Sequence, residues 1–178
     1  MQTVLNLALV IDKLLYNMTE ESFYDYEDEF LLRAENGHIY IKFEKVFDFP
    51  NKTSPWGGYD TKSYIEILSG TYSAKGELYI STGNFYDFFV KLKECYEKLT
   101  GEAKLESYEE NLKLSIVFDG LGHARIKGTY HEYFQDNNKL EFDLKSDQTY
   151  IWQSVSMLED MHSKYGDNKG IPKNKIEN

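Results

Sequence analysis

The sequence predicts an α+β fold, with mainly antiparallel sheet or sheets, two principal helices and an N-terminal helical extension. Three observations carry this. Apolar and polar residues alternate along several short segments, as half-buried strands require. Two other stretches repeat their apolar residues at helical spacing. Most successive strand segments are joined by connections too short for a parallel crossover, so neighbours are expected to pair antiparallel.

The elements follow in order. Val4 to Leu15 is apolar and reads as a helix docked on the domain or an extension of the true N-terminus, not as a signal peptide: it has no basic n-region and carries Asp12 and Lys13. It is also too short to span a bilayer. Phe30 to Ala34 then meets Gly37 to Phe49 across Asn36-Gly37, a favoured dipeptide of two-residue hairpin turns. Ile39, Ile41, Phe43, Phe47 and Phe49 share one parity and are expected on one buried face. Pro50 to Asp60 is a loop with Gly57-Gly58 and Trp56, and Ser63 to Leu68 and Leu78 to Ser81 are the next strands.

Phe85, Phe88, Phe89, Leu92, Tyr96 and Leu99 predict a helix from about Asn84 to Leu99, with Gly101 near its end. Ala103 to Tyr108, Leu112 to Phe118, Gly122 to Tyr130 and Leu140 to Leu144 alternate as strands. Ser146 or Asp147 caps a last helix, Gln148 to Tyr165, that Gly166 stops.

An internal echo runs through this order. Gly70-Thr71-Tyr72 returns as Gly128-Thr129-Tyr130, and Ser81 to Gly101 and Ser146 to Gly166 span equal lengths around a helix. The echo suggests two strand–strand–helix units. The expected organisation is an extension over 1–29, a single α+β domain over 30–166, and a flexible C-terminal tail over 167–178.

The formal charge of −10 repels nucleic acid and anionic membranes and favours encounter with basic partners. A lone cysteine, Cys95, precludes an intramolecular disulfide and fits a reducing, cytoplasmic compartment. It lies near an apolar helix stripe, where a free thiol behaves as a small hydrophobe.

Catalytic patterns are not found. The four histidines, His38, His123, His131 and His162, have no metal-ligand spacing, and eight strand residues separate His123 from His131 by ~26 Å. Asp119-Gly120-Leu121-Gly122 has strand pattern on both sides, so a turn needing positive φ explains its glycines better than a phosphate loop. Pairs such as Glu109 and Glu110 are expected by chance among 30 acidic residues. No cofactor or metal is expected. The alternative is a small-ligand-binding protein or enzyme whose pocket forms only in the fold; a self-associating structural subunit is a third reading.

Exposed aromatic residues beside carboxylates suit a binder of basic proteins, because they combine large contact area with electrostatic steering. Two stretches qualify. One holds Tyr24, Asp25, Tyr26 and Glu27, and the other holds Trp56, Tyr59 and Asp60. Trp152 is a third candidate, weighed against a simple packing role.

Several blocks also occur together: Pro55-Trp56-Gly57-Gly58-Tyr59-Asp60, Ser81-Thr82-Gly83, Ser107-Tyr108-Glu109 with Asn111-Leu112, and Gly122-His123. Leu140-Glu141-Phe142, Ser146-Asp147-Gln148-Thr149-Tyr150 and Tyr165-Gly166 complete them. In this order the chain resembles the WapI-like family of bacterial immunity proteins over about Ile39 to Gly166. The resemblance implies a cytoplasmic antitoxin that binds and neutralises the toxic C-terminal domain of a polymorphic toxin, often a nuclease, in contact-dependent inhibition. It implies no catalytic residue, and the partner is a cognate protein toxin domain, with the protein itself a monomer or dimer.

Overall fold

The computed structural model describes residues 28–132 and 138–171. The expected N-terminal helix and the acidic stretch with Tyr24, Asp25, Tyr26 and Glu27 lie outside the described residues.

The fold is α+β, as expected. Strands β1 (Glu29–Ala34), β2 (Gly37–Val46), β3 (Asp60–Ser69) and β4 (Tyr72–Ser81) form an antiparallel meander, followed by helix α1 (Thr82–Lys98). Strands β5 (Thr100–Glu106), β6 (Leu112–Asp119), β7 (His123–His131) and β8 (Lys139–Asp147) form a second meander, followed by helix α2 (Gln148–Tyr165). The echo in the sequence therefore corresponds to two four-strand-plus-helix units. Its tripeptide half does not align: Gly70-Thr71 is the β3–β4 turn, whereas Gly128 and Thr129 lie inside β7.

Both sheets and both helices share one core. Alternation along β2 and β3 turns Ile39, Ile41, Ile65 and Ile67 inward. Phe30 packs edge-on against Phe85 and Phe88 of α1, at 5.7 and 5.9 Å between ring centres. Burying each such side chain is worth roughly 1.5–3 kcal/mol. The helices lie side by side and antiparallel, for Tyr86 meets His162 while Lys93 reaches Glu159.

Side chains cap both helices at their N-termini. Ser81 and Asn84 form a reciprocal capping box on α1. Asp147, one of the two residues expected to cap α2, accepts from the Thr149 and Tyr150 N–H groups.

Several details differ from the expectation: β4 begins at Tyr72, not Leu78, and α1 at Thr82, not Asn84. The β1–β2 turn residues are Glu35 and Asn36, because Ala34 pairs with Gly37. Gly37 serves close approach instead: a Cβ there would overlap the Leu68 carbonyl. The buried parity of β2 holds through Phe43, but a register shift between Phe43 and Lys45 breaks it. Phe49 thus lies beyond the strand, 38% exposed, with its ring edge-on to Tyr59 and Tyr165.

The outer strands of the first sheet direct backbone groups to the rest of the chain. Leu31 O accepts from Ser154 Oγ at 2.7 Å and Arg33 O from Ser146 Oγ at 2.8 Å. Glu35 N–H, of the same parity, donates to Lys145 O. On β4, Glu77 O accepts from Tyr130 Oη at 3.1 Å and from Asn111 Nδ2 at 3.4 Å. These bonds satisfy strand-edge groups and tie the first sheet to the second meander and to α2.

Candidate protein-binding surface

One corner of the molecule assembles residues from the loop before β3, the start of α1, the β5–β6 loop and the turn after α2. Gly57 and Gly58 have φ of +86° and +58°, values that disfavour a side chain. The loop lies directly on α1: Tyr59 N–H donates to Thr82 Oγ1 at 2.9 Å, and Thr82 N–H returns a bond to Tyr59 O at 2.8 Å. A Cβ on Gly83 would overlap the Gly57 backbone, so glycine faces glycine at this crossing. Residues 167–171 close the corner from behind. Gly58 N–H donates to Asn168 O, and Asn168 Nδ2 donates to Asp87 at 2.7 Å.

This scaffold holds Trp56 outward. Its backbone N–H donates to Ser54 Oγ, which itself donates to Asp60 at 2.6 Å. Trp56 is 61% exposed and stacks on Tyr108, with ring centres 5.8 Å apart and planes within 7°. Tyr108 is fixed in turn by its own loop. Leu112 N–H donates to Ser107 Oγ, Ser107 Oγ bonds to Asn111, and Asn111 donates to the β4 edge. Burial, with the negative charges of Asp60 and Glu109 added, pushes the Tyr108 phenol up to about 12. The corner thus presents a rigid aromatic step beside carboxylates.

Of the residues expected here, Trp56 and Asp60 belong to this surface. Tyr59 does not: it is 3% exposed, with its ring turned inward against Phe49, because β3 begins at Asp60 and the preceding residue falls on the core side. Tyr108 is not among the expected contacts; its signal in the sequence is its place in the Ser107-Tyr108-Glu109 block of the resemblance. Trp152 is 59% exposed, so it does not widen the core face of α2.

The features that would mark a catalytic pocket do not converge among the described residues. His123 and His131 stand at opposite ends of β7. His123 pairs with Asp119 at 2.9 Å on the exposed β6–β7 turn, whereas His131 Nε2 lies 3.1 Å from Glu110 O. The groove that holds His131, Glu109 and Glu110 is open, with a volume near 610 Å³. No group of three or more His, Cys, Asp or Glu residues among those described is placed to hold a metal ion. None of the described helices is long and apolar enough to cross a membrane. Cys95 is buried, and burial raises its thiol pKa.

Residues 30–166 match the Immunity protein WapI-like family. The chain belongs to that family. In this WapI-like immunity protein the sequence blocks that carried the resemblance are largely parts of one corner: the Trp56-Gly57-Gly58-Tyr59 loop, the Ser81-Thr82-Gly83 helix start, the Ser107-to-Asn111 turn and Tyr165-Gly166. Gly122 does a related job at the other helix, where its carbonyl accepts from Gln148 N–H. Among solved structures, the WapI-like chain is similar to one described as a CdiA-CT/CdiI toxin and immunity complex from Enterobacter cloacae. The identity is 12%, the match covers 66% of this chain and 99% of that chain, and the TM-score is 0.37. No curated protein matches the sequence.

The tyrosines of this WapI-like protein make a testable pH dependence. Burial is the largest cause that raises Tyr40, Tyr108 and Tyr130 from 10.0 to about 12. Raised phenols favour the protonated, folded form, so their contribution is complete below the ordinary value and falls as pH rises through about 12. Denaturant unfolding at stepped alkaline pH is expected to show a falling stability in that window. The slope is expected to flatten in a variant carrying Tyr40→Phe, Tyr108→Phe and Tyr130→Phe; an unchanged slope would refute the assignment.

Proposed function

We propose that this protein binds and neutralises the toxic C-terminal domain of a cognate polymorphic toxin in the cytoplasm, as a one-to-one complex without catalysis or cofactor. Family membership supports the immunity role. The observation that carries the binding surface is the Trp56–Tyr108 stack beside Asp60 and Glu109. A fixed, exposed aromatic pair offers contact area at small entropic cost, and neighbouring carboxylates steer a basic partner.

A nuclease is the toxin class that suits this field best, because an active site that holds phosphates is basic and a chain of charge −10 is its electrostatic complement. Tyr24, Asp25, Tyr26 and Glu27 are proposed as a second contact on the same chemical grounds. Co-expression with the toxin domain encoded beside the gene is expected to give a co-eluting complex on size exclusion and to restore growth. Reversing the charge of Asp25 and Glu27 is expected to slow association and weaken its salt dependence. Two folded proteins that neither co-elute nor rescue growth would overturn the function.

A further inference from the structure

The chain has two arginines, Arg33 and Arg125, and the fold treats them differently. Arg125 lies on β7 and grips Asp143 of β8 with two bonds, at 2.5 and 2.8 Å. The Arg33 side chain, on β1, makes no hydrogen bond or ion pair among the described residues, although the chain is rich in carboxylates. Most cations around the first sheet have a carboxylate close by: Lys42 holds Glu29 at 2.9 Å, Lys62 holds Glu77 at 2.5 Å and Lys75 holds Glu66 at 3.0 Å.

Arg33 instead lines an open groove of about 460 Å³ with Leu31, His38, Tyr40, Glu66 and Tyr150. The groove is built across four elements, β1, β2, β3 and α2. Arg33 is the register partner of His38, Tyr40 that of Glu66, and Tyr150 comes from the first turn of α2. Its one carboxylate, Glu66, is already engaged by Lys75, by Tyr64 Oη at 3.0 Å and by His38 at 3.7 Å. Two phenol rings and Leu31 supply apolar walls, and Tyr150 is 38% exposed.

A planar guanidinium with open donors matches a carboxylate in a two-bond geometry, and aromatic walls lower the local dielectric around such a pair. Phosphate is the poorer fit. It carries more negative charge into a molecule of charge −10, past Glu66, and a single guanidinium answers it. We propose that the Arg33 groove receives a carboxylate side chain of the bound partner protein. The source of the carboxylate rests on the toxin-binding reading above; the chemistry of the groove does not. The surface would then be bipolar, with a step for cationic groups at Trp56 and a separate notch that accepts one acidic side chain and fixes the partner's orientation.

The chemistry is tested on the full chain alone. Sodium benzoate, benzamide and inorganic phosphate are titrated in amide-detected NMR against the wild type and Arg33→Gln. Saturable benzoate shifts at Arg33, His38 and Tyr150 are expected, with binding at least about tenfold weaker for benzamide and for R33Q. Absence of those shifts, indifference to R33Q, equal binding of benzamide, or stronger binding of phosphate would each overturn the proposal. A second arm uses the co-expressed complex, where R33Q is expected to weaken association by about tenfold or more at an unchanged melting temperature. A wild-type complex that ignores R33Q refutes the notch. A wild type that forms no complex refutes the toxin-binding reading and leaves the benzoate result to stand by itself.

Discussion

Gly58→Ala is expected to cost about 3 kcal/mol or more of folding stability, measured as a drop in the urea midpoint at constant slope. Two effects add. The φ of +58° is the left-handed region, which charges an alanine about 1–2 kcal/mol. The new Cβ would also overlap Thr82 Oγ1 and the Gly83 backbone nitrogen. Neither neighbour can retreat easily, because both belong to the capped first turn of α1. Gly70→Ala is the control. Its φ is +62°, yet no atom beyond its own chain neighbours lies within 4 Å of the added Cβ, so only the conformational part is lost, about 1 kcal/mol. Equal effects at the two sites would show that the interlock of loop and helix contributes nothing.

Trp56→Ala is expected to weaken the toxin complex by about 2 kcal/mol, roughly 30-fold in dissociation constant, while changing the stability of the free protein by less than about 1 kcal/mol. The asymmetry follows from the position of the ring. It is 61% exposed in the free chain, so its truncation removes little buried area, whereas a partner that covers the stack would lose a large aromatic contact. Most of the loss is expected in the dissociation rate. Tyr108→Ala should couple to it, because the two rings form one stack, and a double-mutant cycle reads the coupling directly. Full affinity in both single variants would move the interface elsewhere.

Much of the fold was legible in the sequence because its signals are local. Period-two alternation placed the strands, period-three-to-four stripes placed the helices, and the cap of α2 was narrowed to Ser146 or Asp147, of which Asp147 is the one used. The errors arise where local counting stops being valid. Parity carried past Phe43 assigned Phe49 to the buried face of a strand, and an irregular register at Lys45 cancels that count. Gly37 was read for its turn, although the atom it makes room for is the Leu68 carbonyl, 31 positions away. The surface was half legible. Trp56 and Asp60 could be read from composition, but Tyr59 alternates inward. Tyr108 joins Trp56 only through tertiary contacts that no window of sequence contains.

The capped edges of the first sheet have a consequence for how recognition can diversify. Leu31, Arg33 and Glu77 have their outward carbonyls occupied by Ser154, Ser146 and Tyr130. An incoming strand would have to break those bonds before it could extend the sheet there. A partner at these edges must instead be told apart by side chains. Main-chain pairing is nearly blind to sequence, whereas each exposed side chain is a separate, replaceable determinant. The same skeleton can therefore be re-addressed to a new partner by changing a few outward residues, with the glycine corner and its hydrogen bonds untouched.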